Sequence, residues 1–462
     1  MTTPTRRIAI VCQPWDNVAS QSENSIVTVS YQLAQCLARD WQVAIYGRRG
    51  PGQKRREVDG TIEFKRLKVP QRPQVLMEAF LSIVACRRKR RINILSVWYH
   101  LFYALRVAVS IRASKYDVVH VHNFLQFAAI IKYFNPASTV CLHMHCEWLR
   151  QFATKANERR LRKVDLIIGV SDYITEGTRI RFPAIAERCH TVYNGVDTNL
   201  FCPSPEVPAQ SDGTRRLLFL ARVSPEKGVH VLIQAFRILA ESRPALRMDI
   251  VGYAGILPYI YLAPDPDDRA IMSLQRFYGN RLSQMVRRQL ILKGRSYLSD
   301  LVTEAAGDDR IVFHGAIPHA DTIDFYRRVA VMVLPSVWNE PSPLPAYEAA
   351  ACGLPIVSTS SGGIPEIVEH GRTGLLVARG DAKELALAIS QVLEDPALGR
   401  AMGEAGRQRV IEWFTWDKSA RRLADLIQNV SHARPNNCTL CRKAGKIFRE
   451  RWRKASFLGT IK

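Results

Sequence analysis

The sequence predicts an α/β protein made of two doubly wound halves in series, on three observations. At 462 residues the chain is too long for one ordinary domain. Its 47% hydrophobic and 23% charged residues are a globular composition with ample material for packed cores, which excludes a disordered tail or a collagen-like repeat. Short apolar, β-branched runs alternate with longer amphipathic ones, as in βα units stacked on a parallel sheet.

In chain order, Arg7-IAIVC, Trp41-QVAIYG, Tyr116-DVVHVH, Thr139-VCLHMH and Val164-DLIIGVS read as the strands of a first half, residues 1–203. The Pro, Ser and Gly content of Pro203-SPEVPAQSDG reads as a linker. A second half over 204–410 takes its strands from Arg216-LLFLARV, Leu246-RMDIVG, Asp309-RIVFHG, Val329-AVMVLPS and Leu354-PIVSTS, with helices between them such as Val229 to Glu241. The stretch of about 253–308 is long for a link between βα units and reads as an insertion with helices around Leu274 to Leu292. A helix at Ala386 to Leu393 precedes a C-terminal helix of about 411–428, able to cross back onto the first half, and a basic tail over 429–462. No short fixed period is visible, which argues against a solenoid.

Charge is localised. The chain holds 65 Lys and Arg against 42 Asp and Glu, net +23, and two segments, 48–115 and 430–462, carry nearly all of the excess. That pattern predicts two basic patches on an ordinary domain pair and not a nucleic-acid coat. Ten scattered cysteines lack the framework of a small secreted domain, and no apolar signal core precedes the first strand, so reduced thiols and a cytoplasmic location are expected. The most apolar stretch, Ile94 to Ile111, is interrupted by Arg106, so no spanning helix is predicted.

The most informative block is Leu334-PSVWNEPSPLPAYEAAACGLPIVSTSSGGIPEIV. It reads strand, loop, helix, stop, strand, with Pro345 suited to the first helical turn and Gly353 to the position after the last. The loop Asn339-EPSPL therefore sets free N–H groups and a positive helix end at the carboxyl edge of a parallel sheet, where anions bind. Glu340 and Glu348 flank that loop. Two carboxylates beside an anion site are poor phosphate ligands and good acceptors for sugar hydroxyls.

With this Glu-x7-Glu pair, with Tyr193-NGVDTNLF, Ala221-RVSPEKG and Ser361-GGIPEIVEHGRTGLLV, and with His-bearing strands near 120 and 145, the sequence resembles the family 4 glycosyltransferases. The resemblance covers most of the chain in the right order. It implies the GT-B fold, two Rossmann-like domains facing a central cleft, and a retaining transfer of a sugar from a nucleotide diphosphate donor. Arg222 and Lys227 would hold the donor pyrophosphate, where fixed cations stabilise the charge of the leaving nucleotide and can do the work of a metal. Neither a cofactor nor a metal is expected. Glu340 would meet donor sugar hydroxyls and Glu348 the ribose, while Ser342, Pro343 and Leu344 would line the phosphate or sugar, although Pro343 has no N–H to donate. The active-site histidine falls at His145, with His143 as second choice, and His120 and His122 lie close by on matching strand ends. Asn194 and His143 join the possible acceptor or phosphate contacts.

The sequence departs from the family after the first strand. In place of paired glycines it has Gln13-PWDNVASQSENSIVTVSYQLAQCLA, where Asn24 and Ser25 can supply polar contacts ahead of a helix. Zinc at the two His-x-His pairs would require tetrahedral convergence and is not expected, Asp265-PDD reads as a turn, and Cys438-TLC lacks two further ligands. In the basic segment, Leu76, Phe80 and Ile83 share one helical face, and Ile94, Trp98, Phe102, Leu105 and Val109 another. Those faces are expected to pack on the first sheet, while Arg87-RKRR beside aromatics suits anionic lipid headgroups, so peripheral docking through residues 76–112 and the tail is a further expectation. The whole reads as a hexosyltransferase that serves a glycan or lipid-linked acceptor in cell-surface or exopolysaccharide synthesis. A nucleotide-sugar epimerase or a glycan phosphorylase on the same fold is the alternative and a nucleic-acid-binding protein the remote one.

Overall fold

The computed structural model describes residues 6–20, 24–69, 95–203, 214–256, 262, 268–278 and 296–432. The expected Leu76, Phe80, Ile83, Ile94 and Arg87–Arg91, the helix beyond Tyr278, the Cys438 pair and the tail from 433 onward lie outside the described residues.

The apolar runs of the first half form a sheet covered on both faces, which is why β1 (Arg7–Val11) is buried at successive positions and not at alternate ones. With β2 (Gln42–Arg48), β3 (Arg56–Asp59), β4 (Ile62–Leu67), β5 (Val118–His122), β6 (Thr139–Met144), β7 (Leu166–Gly169) and β8 (Cys189–Thr191), the sheet runs β3-β4-β2-β1-β5-β6-β7-β8. Its pairings are parallel except the β3–β4 hairpin. Helices α1 (Ser25–Leu37), α2 (Leu101–Ser114) and α3 (Asp172–Arg181) belong to this half. The strand order reverses between β1 and β5, the place where such sheets bind ligands.

The second half repeats the plan with β9 (Arg215–Leu220), β10 (Leu246–Val251), β11 (Ile311–Gly315), β12 (Val331–Leu334), β13 (Ile356–Thr359) and β14 (Gly374–Val377), in the order β11-β10-β9-β12-β13-β14 and parallel throughout. Its switch point lies between β9 and β12. Helix α4 (Val229–Ala240) follows β9, α5 (Leu344–Ala351) follows β12, and α6 (Ala382–Glu394) and α7 (Pro396–Trp413) follow β14.

Helix α8 (Trp416–His432) leaves the second half and packs on the first, against α1 and the β6–β7 side of the sheet. Trp416, Ala420, Leu423 and Ile427, one stripe at helical spacing, share a core with Ile8, Val27, Leu33 and Ile168.

Three expectations are corrected. Helix α2 buries Tyr103, Val107 and Ile111 against the first core, whereas Trp98 and Val109 are exposed and Phe102 and Leu105 half-buried, so the stripe expected to pack on the sheet faces outward. The turns at Leu274–Phe277 are 3₁₀ and continue a short helix, Arg269–Ser273, capped by the side chain of Asp268, while the rest of the Asp265-PDD turn lies outside the described residues. Helix α6 begins four residues before the expected Ala386 because Asp381 caps it on the amides of Lys383 and Glu384. Among the described residues no helix is long and apolar enough to cross a membrane.

Candidate active site

The two switch points face each other across a cleft of about 580 Å³. Gln13, Asn24, Ser25, His145 and Asn194 line it from the first half, and Arg222, Lys227, Glu340, Ser342, Pro343, Leu344 and Glu348 from the second. His143 is not on its wall.

On the second half, local chain geometry aims the cations inward. Residues Pro225–Lys227 form one 3₁₀ turn ended by Gly228 at φ +76°, and a Cβ there would lie 1.9 Å from the carbonyl oxygen of Pro335. Only glycine lets this turn press against the end of β12. The Lys227 ammonium donates to both oxygens of Glu340, at 2.7 and 2.6 Å. Trp338 Nε1 at 2.7 Å and Ser336 Oγ at 3.0 Å donate to the same carboxylate. Burial pushes the Glu340 carboxyl up, but the charge and hydrogen bonds of Lys227, with those of Trp338 and Ser336, outweigh it and hold the group below the usual range. Arg222 is fixed in the same way. Its Nη2 donates to Glu226 at 2.6 Å, and the fully buried Glu226 also accepts from Ser224 at 2.7 Å and Tyr278 at 3.1 Å.

The loop before α5 carries the remaining expected residues. Pro343 takes the N-cap position, Pro345 lies in the first turn, and Gly353, at φ +74°, follows the last. Ser342 Oγ meets Tyr347 OH at 2.8 Å and accepts from Asn194 Nδ2 at 3.1 Å, a contact between the two halves. Glu348 accepts from His319 Nε2 and Tyr326 OH, both at 2.7 Å, which leaves each oxygen a lone pair for a hydroxyl. That bond to Glu348 raises the pKa of His319 against the opposing effect of burial.

On the first half, β5 and β6 pair with His122 opposite His143, so the histidines of both strands share one face of the sheet. His120 Nε2 lies 3.1 Å from His143 Nδ1, and His122 Nδ1 lies 2.7 Å from His145 Nε2. Burial drives the pKa of all four down, to about 3 for His120 and His145, so the rings are neutral. One nitrogen each from His120, His122 and His143 falls within 4.8 Å of the others. These short N···N contacts are the distances of imidazole hydrogen bonds, each of which needs a proton between the nitrogens. His145 stands on the cleft wall and His143, 1% exposed, behind it.

Where the glycine turn is replaced, Asp16 takes the Gln13 main-chain N–H at 3.0 Å and Asn24 Nδ2 at 3.0 Å. Its burial raises its pKa to about 7. Asn24 spends its side-chain oxygen capping α1, on Ile26 N at 2.9 Å, and Ser25 is the first residue of that helix. Both line the cleft, with the Asn24 side chain bound inward.

Several residues that shape the site carry no role in the sequence reading: Glu226, Ser336, Trp338, Gln13 and Ser30, which lie inside quoted segments, and His319 and Tyr326, which carry no local signal. A carboxylate two residues after Trp338 and four after Ser336 was a usable hint. Twenty-nine residues separate His319 from Glu348, and only the folded sheet brings them together.

Comparison with known proteins follows the same division. Residues 26–200 match the family described as Glycosyltransferase Family 4, and residues 204–409 match Glycosyl transferases group 1. A putative glycosyltransferase, YtcC, of Bacillus subtilis (strain 168) is 28% identical over 342 residues, which are 71% of this chain and 76% of the relative. Among solved structures, sucrose-phosphate synthase from Thermosynechococcus elongatus superposes with a TM-score of 0.67 at 23% identity, covering 93% of this chain and 100% of that one. Anabaena Alr3699/HepE, solved in complex with UDP and glucose, gives a TM-score of 0.61 at 18% identity, covering 91% of this chain and 99% of that one. Taken with two doubly wound sheets whose switch points meet across one cleft, these matches show that the chain belongs to the family 4 glycosyltransferases and has the GT-B fold.

Proposed function

We propose that this enzyme transfers a hexosyl group from a nucleoside diphosphate sugar to a hydroxyl of a glycan or lipid-linked acceptor, with retention of configuration and without a metal, in cell-surface or exopolysaccharide synthesis. The observation that carries the reading is the pairing of Arg222 and Lys227 with Glu226 and Glu340 at the carboxyl edge of the second sheet. Both cations face the cleft and are held by buried carboxylates, so they are positioned before any ligand arrives. A diphosphate leaving group gains negative charge as the glycosidic bond breaks, and preorganised cations stabilise that charge without reorganisation.

Retention follows from same-face attack. Among the described residues lining the cleft the carboxylates are Glu340 and Glu348, and each is engaged on both oxygens, which makes a poor nucleophile. The departing phosphate then takes the proton of the acceptor hydroxyl. Glu348, on the His319 side of the cleft, suits a ribose, and Glu340, beside the phosphate cations, suits the transferred sugar. The departure at Gln13–Asn24 gives this enzyme its own acceptor wall.

Binding of UDP, GDP, ADP and CDP, with and without a chelator, to the wild type and to Arg222→Ala tests the reading. UDP is the first arm, since the HepE neighbour holds UDP. Selective binding that survives chelation and is lost in the variant is expected, and no binding to any nucleotide would overturn it. The basic segments over 76–112 and the tail, together with the outward Trp98 and Val109 of the α2 region, support peripheral docking on an anionic membrane from the cytoplasmic side. Failure to float with anionic liposomes at low salt would remove that part.

A further inference from the structure

His145 reaches the cleft with its main chain and one ring nitrogen already committed. Its main-chain N–H donates to Asn123 Oδ1 at 2.7 Å, and Asn123 Nδ2 donates to Gln13 Oε1 at 3.2 Å. Its ring Nε2 turns inward, 2.7 Å from His122 Nδ1. The other nitrogen of His122, Nε2, lies 3.0 Å from the hydroxyl of Ser30 in α1, and that hydroxyl lies 2.7 Å from the carbonyl oxygen of Ile26.

The direction of every proton in this chain follows from its inner end. A carbonyl has no proton to give, so two oxygens 2.7 Å apart require the single Ser30 proton between them. Toward His122 the Ser30 oxygen is therefore an acceptor, and His122 Nε2 carries its ring proton. The second lone pair of that oxygen faces the thiol of Cys12 at 3.4 Å, a weak donor that burial keeps protonated. A neutral imidazole has one ring proton, so His122 Nδ1 is bare and accepts from His145 Nε2. The Nδ1 of His145 is then bare as well. The neighbouring pair is different: His120 and His143 bond to each other, but His120 Nδ1 and His143 Nε2 are buried without a partner among the described residues, so nothing orients that pair.

We propose that Ser30 and His122 are positioning residues that hold His145 as its Nε2–H tautomer, so that the cleft meets a hydrogen-bond acceptor at Nδ1. This rests on the reading of the cleft as a sugar-transfer site, and it adds a specificity rule. The donor-sugar group beside His145 is a hydroxyl that donates. A sugar carboxylate there can only accept, faces a bare lone pair, and is rejected.

The tautomer is read on the free enzyme by long-range ¹H–¹⁵N correlation of ¹⁵N-histidine-labelled protein at neutral pH, with His145→Gln and His122→Asn for assignment. The expected wild-type spectrum shows Nε2–H for both His122 and His145. Ser30→Ala removes the fixed acceptor and mixes the tautomers, and Ser30→Thr, which keeps the hydroxyl, restores them. In parallel, Ser30→Ala is expected to lower kcat on the order of tenfold, with KM for the donor little changed, because the reacting geometry and not nucleotide binding is loosened. An Nδ1–H or imidazolium signal for His145, an unchanged spectrum in Ser30→Ala, or wild-type signals that move on adding EDTA, as a metal held by His120, His122 and His143 demands, would each overturn the relay. The expected spectra with unchanged kcat in Ser30→Ala would overturn its role in transfer. Because the tautomer is measured without substrate, the nucleotide panel can fail while the relay stands, and the two failures are distinguishable.

Discussion

Glu340 shows why single substitutions in this site mix folding with catalysis. It is buried and saturated by Lys227, Trp338 and Ser336, so removing Lys227 strands a charge, a loss of about 3–5 kcal/mol for a broken buried pair. Arg222→Ala carries the same cost, because the fully buried Glu226 keeps only the neutral donors Ser224 and Tyr278 when the guanidinium goes, so its Tm is read alongside nucleotide binding. The His319–Glu348 pair supports a pH prediction. The pKa of His319 is raised in the folded protein above its ordinary 6.5, so the stabilisation is fully present below pH 6.5 and is lost as pH rises through the folded pKa. His319→Gln should accordingly lower Tm more at pH 5.5 than at pH 8.5. An equal loss at both pH values would mean that the pair contributes only its neutral hydrogen bond.

At the scale of elements, what was legible followed buried pattern. Strands β1, β5, β6 and β10 announced themselves as apolar runs because both faces of each sheet are covered. Strands β3 and β4 did not, since REVD at an exposed edge and IEFKRL carry charges where a run would be apolar, and β8 and β14 are three and four residues long. Helix α7 escaped notice because its inner face is small: Gly399, Gly403 and Gly406 are buried there, and a Cβ on Gly403 would lie 1.9 Å from the Gly353 carbonyl oxygen. On α2 the hydrophobic stripe pointed the wrong way, because Tyr103, Val107 and Ile111, with the alanines between them, make the packed face while Phe102, Leu105 and Val109 lie off it. The site was more legible than its supports. Glu340, Glu348, Arg222 and Lys227 stand in spaced motifs with Ser336, Trp338 and Glu226 beside them, whereas His319 and Tyr326, which hold Glu348, arrive from elsewhere in the fold. Gly362 lies inside a quoted run, but its contact was not legible there: at φ +55° its missing Cβ is 2.2 Å from the Glu340 carbonyl oxygen, so the turn after β13 closes over the carboxylate's own backbone.

At the scale of the whole molecule the question is what holds two sheets at a working separation. Helix α8 joins them by burying Leu423 and Ile427 in the first core, a permanent strap that does not depend on ligand. Asn194 on Ser342 and Glu366 on α3 are contacts of another kind, polar and made between the two halves. The Glu366 carboxylate accepts the main-chain N–H groups of Asp172 and Tyr173, both at 2.7 Å, and so caps the first turn of a helix in the opposite half. A negative charge is favourable there because those amides lack helical partners. Burial raises the Glu366 pKa, with the two N–H bonds opposing that rise. Glu366→Ala should leave each core intact while freeing the halves to rotate about α8. Small-angle scattering of the ligand-free variant is then expected to give a larger radius of gyration than wild type, and saturating nucleotide diphosphate sugar to narrow the difference, since a donor held by both halves replaces the lost latch. An unchanged radius would assign the separation to α8 and the other contacts between the halves, such as Asn194 on Ser342 and Gln151 on Leu262, with Glu366 acting only as the cap of α3.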